Sequence, residues 1–189
     1  MILNNYKSRI ETGNNFCSKN KYLFAGFLAN ELLSGESMGS KELIQDKQQI
    51  EEILSKAKFL RLALSDSDVP YIIPMAFGYK DNKIYFHCSR EGKKIDILNR
   101  NSTVCFEADV ATEVMIADEP CKYNVCYRSV IGYGKAQFLE DYDQKVDGLT
   151  VLSEHYGKEG PFEFEEWKVD RLCVIKIEIE KMTGKENGF

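Results

Sequence analysis

The segment YNVCYRSVIGYGKAQFL (123–139) constrains the fold of this chain more than any other. It is rich in β-branched and aromatic residues and contains no proline, which is the composition of a strand. Gly132 and Gly134 form a G-x-G, but no helical pattern follows them. A dinucleotide-binding loop is therefore excluded, and the glycines mark a bend in one long strand. A second run, RLCVIKIEIEKMTGK (171–185), alternates apolar and polar residues and is a strand of the same kind.

Shorter elements surround these two. FLRLALS (59–65) and YIIPMAFGY (71–79) read as strands joined by a turn at DSDVP, and TVCFEAD (103–109) as another. KDNK (80–83) is a hairpin turn that leads into IYFHC (84–88). Pro74 inside 71–79 implies an edge, a bulge, or a place where a ligand replaces the missing hydrogen bond. Helices are expected over 44–57, where Ile50, Ile53, Leu54 and Ala57 recur at helical spacing behind an N-cap at Asp46, and at about 91–100 and 141–156. Five or six antiparallel strands with a few helices make a mainly β fold with α, a small barrel.

The 189 residues suit a single domain, assigned to 38–189. Residues 1–37 read as an N-terminal extension, in which NNYKSRIETGNNFCSKN (4–20) is polar, has no steady period and is expected to be poorly ordered. Gly35-Glu36 can be encoded by a purine-rich ribosome-binding sequence, which makes Met38 an alternative start. The apolar stretch YLFAGFLANELL (22–33) is broken by Asn30 and Glu31, so neither a membrane span nor a secretion signal is expected. A formal charge of −5 argues against general nucleic-acid binding. The six cysteines lie mostly in apolar runs, the pattern of reduced thiols in a cytoplasmic protein. Cys121 and Cys126 are badly spaced for zinc, and His87 and His155 are far away in sequence, so no metal site is expected.

The stretch YFHCSREGKKIDIL (85–98) places Ser89, Arg90, Lys93 and Lys94 at a strand-to-helix corner. A helix N-terminus offers unpaired N–H groups and a partial positive charge, and Gly92 lets a bulky anion approach the backbone. The alternative is that the lysines are a solvated helix face. Arg128 beside Ser129 lies within an otherwise apolar strand and is expected to meet a phosphate or, alternatively, a carboxylate.

The run VPYIIPMAFGYKDNKIYFHCSREGKKIDILNRNSTVCFEAD, followed by CYRSVIGYGKAQFLED and the terminal TGKEN, resembles the flavin-binding split-barrel superfamily of pyridoxamine-phosphate oxidase, and within it the nitroimidazole-resistance branch. The likeness covers about residues 41–187. It implies a six-stranded antiparallel split barrel that binds FMN and forms a homodimer with the flavin at the subunit interface. On that resemblance the phosphate is held by Ser89, Lys93, Lys94, Arg128 and Ser129. The ring lies along Ile73, Pro74, Met75, Ala76 and Phe77, with Pro74 interrupting the ladder there. His87 is placed beside the ring among the cofactor-binding residues and is the residue implicated in catalysis, with a plain hydrogen-bonded structural role as the alternative. The implied activity is reduction of a small nitroaromatic such as a 5-nitroimidazole to the amine. The competing class is a flavin- or haem-binding protein without turnover. His155 reads as a solvated helix-end residue and Trp167 as core or interface packing.

Overall fold

The computed structural model describes residues 41–188, and the expectations for 1–37 and the Met38 start lie outside them. The described strands are β1 (Lys41–Ile44), β2 (Leu60–Asp66), β3 (Val69–Met75), β4 (Gly78–Lys80), β5 (Lys83–Cys88), β6 (Thr103–Met115), β7 (Asn124–Leu139) and β8 (Cys173–Asn187). The helices are α1 (Lys47–Lys56), α2 (Lys93–Arg100), α3 (Tyr142–His155) and the single turn α4 (Glu166–Val169). The sheet order is β3-β2-β6-β7-β8-β5-β4, with β1 also on β8, and every pairing is antiparallel. This is a mainly β fold of the split-barrel type with eight described strands rather than six.

The two long segments form the centre of the sheet. β7 and β8 pair from Tyr127↔Asn187 to Leu139↔Val174, with a register shift between Tyr133 and Gly134. Both glycines are required by close approach. A Cβ at Gly132 would lie 2.2 Å from Phe106 Cζ, and one at Gly134 would lie 2.3 Å from the Glu178 carbonyl oxygen. The bend read from the sequence is therefore where a ring and a neighbouring backbone press against β7.

The interior is filled by one face of each strand. Leu62, Phe106, Phe86, Ile84, Ile175 and Ile177 are fully buried, joined by Ile53 and Leu54 of α1 and Ile97 and Leu98 of α2. α1 begins where expected, with Asp46 Oδ1 accepting from the Gln48 N–H at 3.1 Å. A smaller cluster, built on Leu139, Leu149, Val169 and Val174, packs α3 and α4 against the outer side of the β5–β8 ladder. The KDNK turn is as read: Asp81 and Asn82 take positive φ and Lys80 pairs with Lys83.

Two differences raise the strand count. The 71–79 run is split, because the Phe77 N–H is satisfied by Tyr156 Oη at 3.2 Å instead of by a strand. After Met75 the backbone thus leaves β2 and turns to meet β5 as β4. β1 is four residues long and too short to show a period; it is held by pairing Ile44 with Gly184 and its neighbours. Pro74 does not interrupt the ladder. The β2–β3 register runs through it, Arg61 opposite Pro74 and Leu60 opposite Met75, and β3 is an edge strand, where proline is tolerated.

Candidate functional site

β5 delivers the chain to the corner. Ile84 and Phe86 point inward, and His87 points outward and is exposed. In the connecting loop Ser89 Oγ accepts the Glu91 N–H at 3.3 Å, and Arg90 donates to the Asp170 carbonyl. Gly92 caps α2 with φ +116°, no side chain caps the helix, and a Cβ there would meet nothing within 4 Å. The first N–H groups of α2 are therefore left without a side-chain acceptor at the cap.

Two cations flank them. Lys93 Nζ lies 4.9 Å from the centre of the Tyr71 ring, and Lys94 Nζ lies 5.9 Å from that of Phe86 and 3.5 Å from Met75 Sδ. Among the described residues, neither lysine has a carboxylate at ion-pair distance. A helix start with no side-chain cap, a nearby hydroxyl and two ammonium groups without carboxylate partners form a donor set that suits a phosphate.

The same end of the molecule holds β3. Met75 and Phe77 are buried and Ile73 is half-buried, so these side chains belong to the core. Pro74 and Ala76 face outward and are exposed. The structure thus joins Ser89, Lys93 and Lys94 to Met75 and the end of β3.

Arg128 and Ser129 lie elsewhere along the sheet. Arg128 is opposite Glu186 on β8, with Nε 3.0 Å from Glu186 Oε2, so the carboxylate alternative is realised in this chain. Ser129 is buried between Asp109 and Lys185. The corner meets β8 at its first residue, Cys173, whereas Arg128 meets it thirteen positions later. At about 3.3 Å per residue that is roughly 40 Å of strand contour.

His87 opens onto a groove of about 290 Å³ on the outer side of the β5–β8 ladder. Leu149 and Leu152 of α3, Phe164, Lys168 and Leu172 form the walls. Burial of the inner side of the imidazole, and then the Lys94 charge, hold the His87 pKa below the ordinary histidine value. The ring is accordingly neutral at pH 7.

His155 is not a solvated helix end. Its Nε2 is 2.8 Å from the Ala57 carbonyl oxygen, and its ring lies 4.5 Å from that of Phe77. Trp167 is exposed, donates to Glu165 Oε2 at 2.6 Å, and is flanked by Lys168 and Arg171. The segment 163–172 supplies much of the groove, yet it carries no periodic pattern that marks it in the sequence. Among the described residues no group of three or more side chains could hold a metal ion, and no helix is long and apolar enough to cross a membrane.

Comparison with solved structures places this geometry among relatives. A protein of Bacteroides thetaiotaomicron described as a candidate 5-nitroimidazole antibiotic resistance protein is 30% identical, with a TM-score of 0.70 over 82% of this chain and 94% of that one. An FAD- and haem-binding protein of Mycobacterium smegmatis shares the fold at 16% identity, with a TM-score of 0.66 over 77% and 73% of the two chains. An FAD-binding protein of Mesorhizobium loti shares it at 22% identity, with a TM-score of 0.56 over 77% and 97%. A search of the curated proteins gave no match. Residues 46–186 match the family described as pyridoxamine 5'-phosphate oxidase, a span that takes in the corner, the groove wall at α3 and both long strands. With most of the chain inside that match, and a 30% identical relative covered almost end to end, the chain belongs to the pyridoxamine 5'-phosphate oxidase family.

Proposed function

We propose that this protein is an FMN-dependent oxidoreductase that reduces small nitroaromatic compounds, 5-nitroimidazoles among them, to amines. The observation that carries the reading is the open start of α2, with Lys93 and Lys94 lacking carboxylate partners among the described residues. The relative described as a candidate 5-nitroimidazole resistance protein supports the substrate class. When bound, the flavin supplies electrons in pairs, and the protein's part is to hold, orient and shield. Ser89, Lys93 and Lys94 hold the phosphate. The Ile73–Phe77 segment supports the ring, with Pro74 and Ala76 as its exposed apolar surface. Neutral His87 donates its ring proton in a hydrogen bond to a nitro oxygen as negative charge develops there. Leu149, Leu152, Phe164 and Leu172 limit water around it, in a groove that Ser153, Glu163, Glu165 and Lys168 also line. Five free thiols among the described residues fit a cytoplasmic setting.

Arg128 enters through a second copy of the chain. Its exposure and its separation from the corner along β8 support a homodimer in which one subunit supplies Lys93 and Lys94 and the other supplies Arg128 to the same phosphate, while Ser129, turned to the buried face of β7, stays out of it. Mixing Lys94→Ala and Arg128→Ala chains tests this arrangement. Each mixed dimer is expected to regain one full-affinity FMN site, because both substitutions then fall in the other site. Mixed protein that binds no better than the two variants apart would show that the residues do not meet across subunits.

FMN and riboflavin titrations test the cofactor. FMN is expected to bind one per subunit and riboflavin, which lacks the phosphate, much more weakly; equal affinities would remove the phosphate cradle. The second reading, flavin or haem binding without turnover, draws on the FAD- and haem-binding relative. The absorbance spectrum of purified protein separates bound haem from bound flavin, and turnover of a 5-nitroimidazole with the flavin-loaded protein separates an enzyme from a binder.

A further inference from the structure

Cys88 is the last residue of β5 and Cys173 the first of β8, and the ladder sets them directly opposite each other. Opposed residues in an antiparallel pair have Cα atoms about 4.5–5.5 Å apart. That falls within the roughly 4.4–6.8 Å that a disulfide accepts. The pair continues the inner face of Phe86 and Ile175, and both sulfurs are half-buried at the rim of the core. The other described cysteines are placed differently. Cys105 faces Ala63 and Tyr133, Cys126 faces Glu113 with its sulfur against Met115 and the Gly188 carbonyl, and Cys121 is exposed in the turn Pro120–Lys122.

The surroundings distinguish the two sulfurs. The Cys173 S–H, and then the Lys94 ammonium from α2, hold the Cys88 thiol below the ordinary thiol range against the opposing effect of burial. Hydrogen bonding to Cys88, burial and the nearby Glu140 push the Cys173 thiol up, while Arg90 acts the other way. The nucleophilic thiolate therefore resides on Cys88 and the reserve proton on Cys173.

We propose that Cys88 and Cys173 form a peroxide-oxidised dithiol, in which Cys88 is oxidised first and Cys173 closes an intrachain disulfide across β5 and β8. In the first step the Cys88 thiolate displaces hydroxide from hydrogen peroxide. The S–O bond forms, the O–O bond breaks, and the hydroxide leaves as water after taking a proton from solvent. In the second step the Cys173 sulfur attacks Cys88 Sγ. The S–S bond forms, the S–O bond breaks, and the departing hydroxide takes the Cys173 proton as water. Two electrons pass from the dithiol to the peroxide, and a small dithiol reverses the change. Oxidation also removes the anion beside Lys94, at the corner that ends β5.

Peptide mapping of the full chain tests the proposal without any cofactor. The reduced protein is treated with graded hydrogen peroxide, blocked with N-ethylmaleimide and digested. The expected product is a Cys88–Cys173 linked peptide, with two thiols lost per chain and regained after dithiothreitol. In Cys173→Ser, Cys88 accumulates as a sulfenic acid trapped by dimedone, and in Cys88→Ser, Cys173 stays a free thiol. The proposal is overturned if both cysteines still carry maleimide at a dose that consumes exposed Cys121, or if Cys88 links to a different cysteine. It is also overturned if Cys173 reacts while Cys88 does not.

Discussion

Alanine at both Lys93 and Lys94 weakens FMN binding by about 10²–10³-fold and leaves the fold intact. A hydrogen bond to a charged group contributes roughly 1.5–3 kcal/mol, and each 1.4 kcal/mol is about a factor of ten. Lys93 is exposed and its share is screened by water, so the sum lies toward the lower end. Lys94 is half-buried against Phe86 and Met75, so Lys94→Ala alone costs more than Lys93→Ala alone. The helix tolerates both changes because its packing rests on Ile95, Ile97 and Leu98, and alanine is a good helix former. FMN fluorescence quenching reads the affinity, and circular dichroism reads the fold. A matching loss of riboflavin affinity would assign the lysines to the ring and not to the phosphate.

Removing the His87 side chain costs nitroimidazole reduction about 10²–10³-fold, the size of effect seen when one donor aimed at developing negative charge is deleted. FMN affinity should hold, because the phosphate rests on Ser89, Lys93 and Lys94, whereas strand alternation turns the His87 ring outward to the groove. The sign of the pH dependence follows from the lowered pKa. The ring remains neutral to a lower pH than an ordinary histidine, so activity carried by the neutral donor is retained at about pH 6.5, where an ordinary histidine is half protonated, and is lost only as the pH falls further. Activity that instead rose as pH fell would identify imidazolium as the acid. His87→Gln keeps a donor that cannot titrate and should restore part of the rate. If His87→Ala loses FMN together with activity, the histidine supports the corner and has no part in the chemistry.

Elements whose signal is local were legible in the sequence. Asp46 caps α1, the KDNK turn needs two residues of positive φ, and β7 and β8 show strand composition along most of their length. What escaped depends on partners distant in the chain. The split between β3 and β4 rests on Tyr156 reaching Phe77, some eighty residues away. The same helix end explains His155, whose carbonyl partner Ala57 belongs to the segment after α1. Ser89, Lys93 and Lys94 were readable as a group because they are contiguous at one corner. Arg128 was readable as a cation that needs an anion, but only the register of β7 on β8 shows that Glu186 is that anion within one chain.

The sheet order sets a timetable for synthesis. β5 and β1 both wait for β8, which leaves the ribosome after them. β5 is complete at Cys88 and β8 begins at Cys173. At about 5–20 residues per second, the flank of β5 that β8 will cover stays bare for on the order of 4–17 s. During that interval β2, β3, β6 and β7 can already pair with one another, and β4 can cover the other flank of β5. The nascent chain thus presents an unpaired edge at β5 beside apolar Ile84 and Phe86, a template on which other chains can pair until β8 covers it.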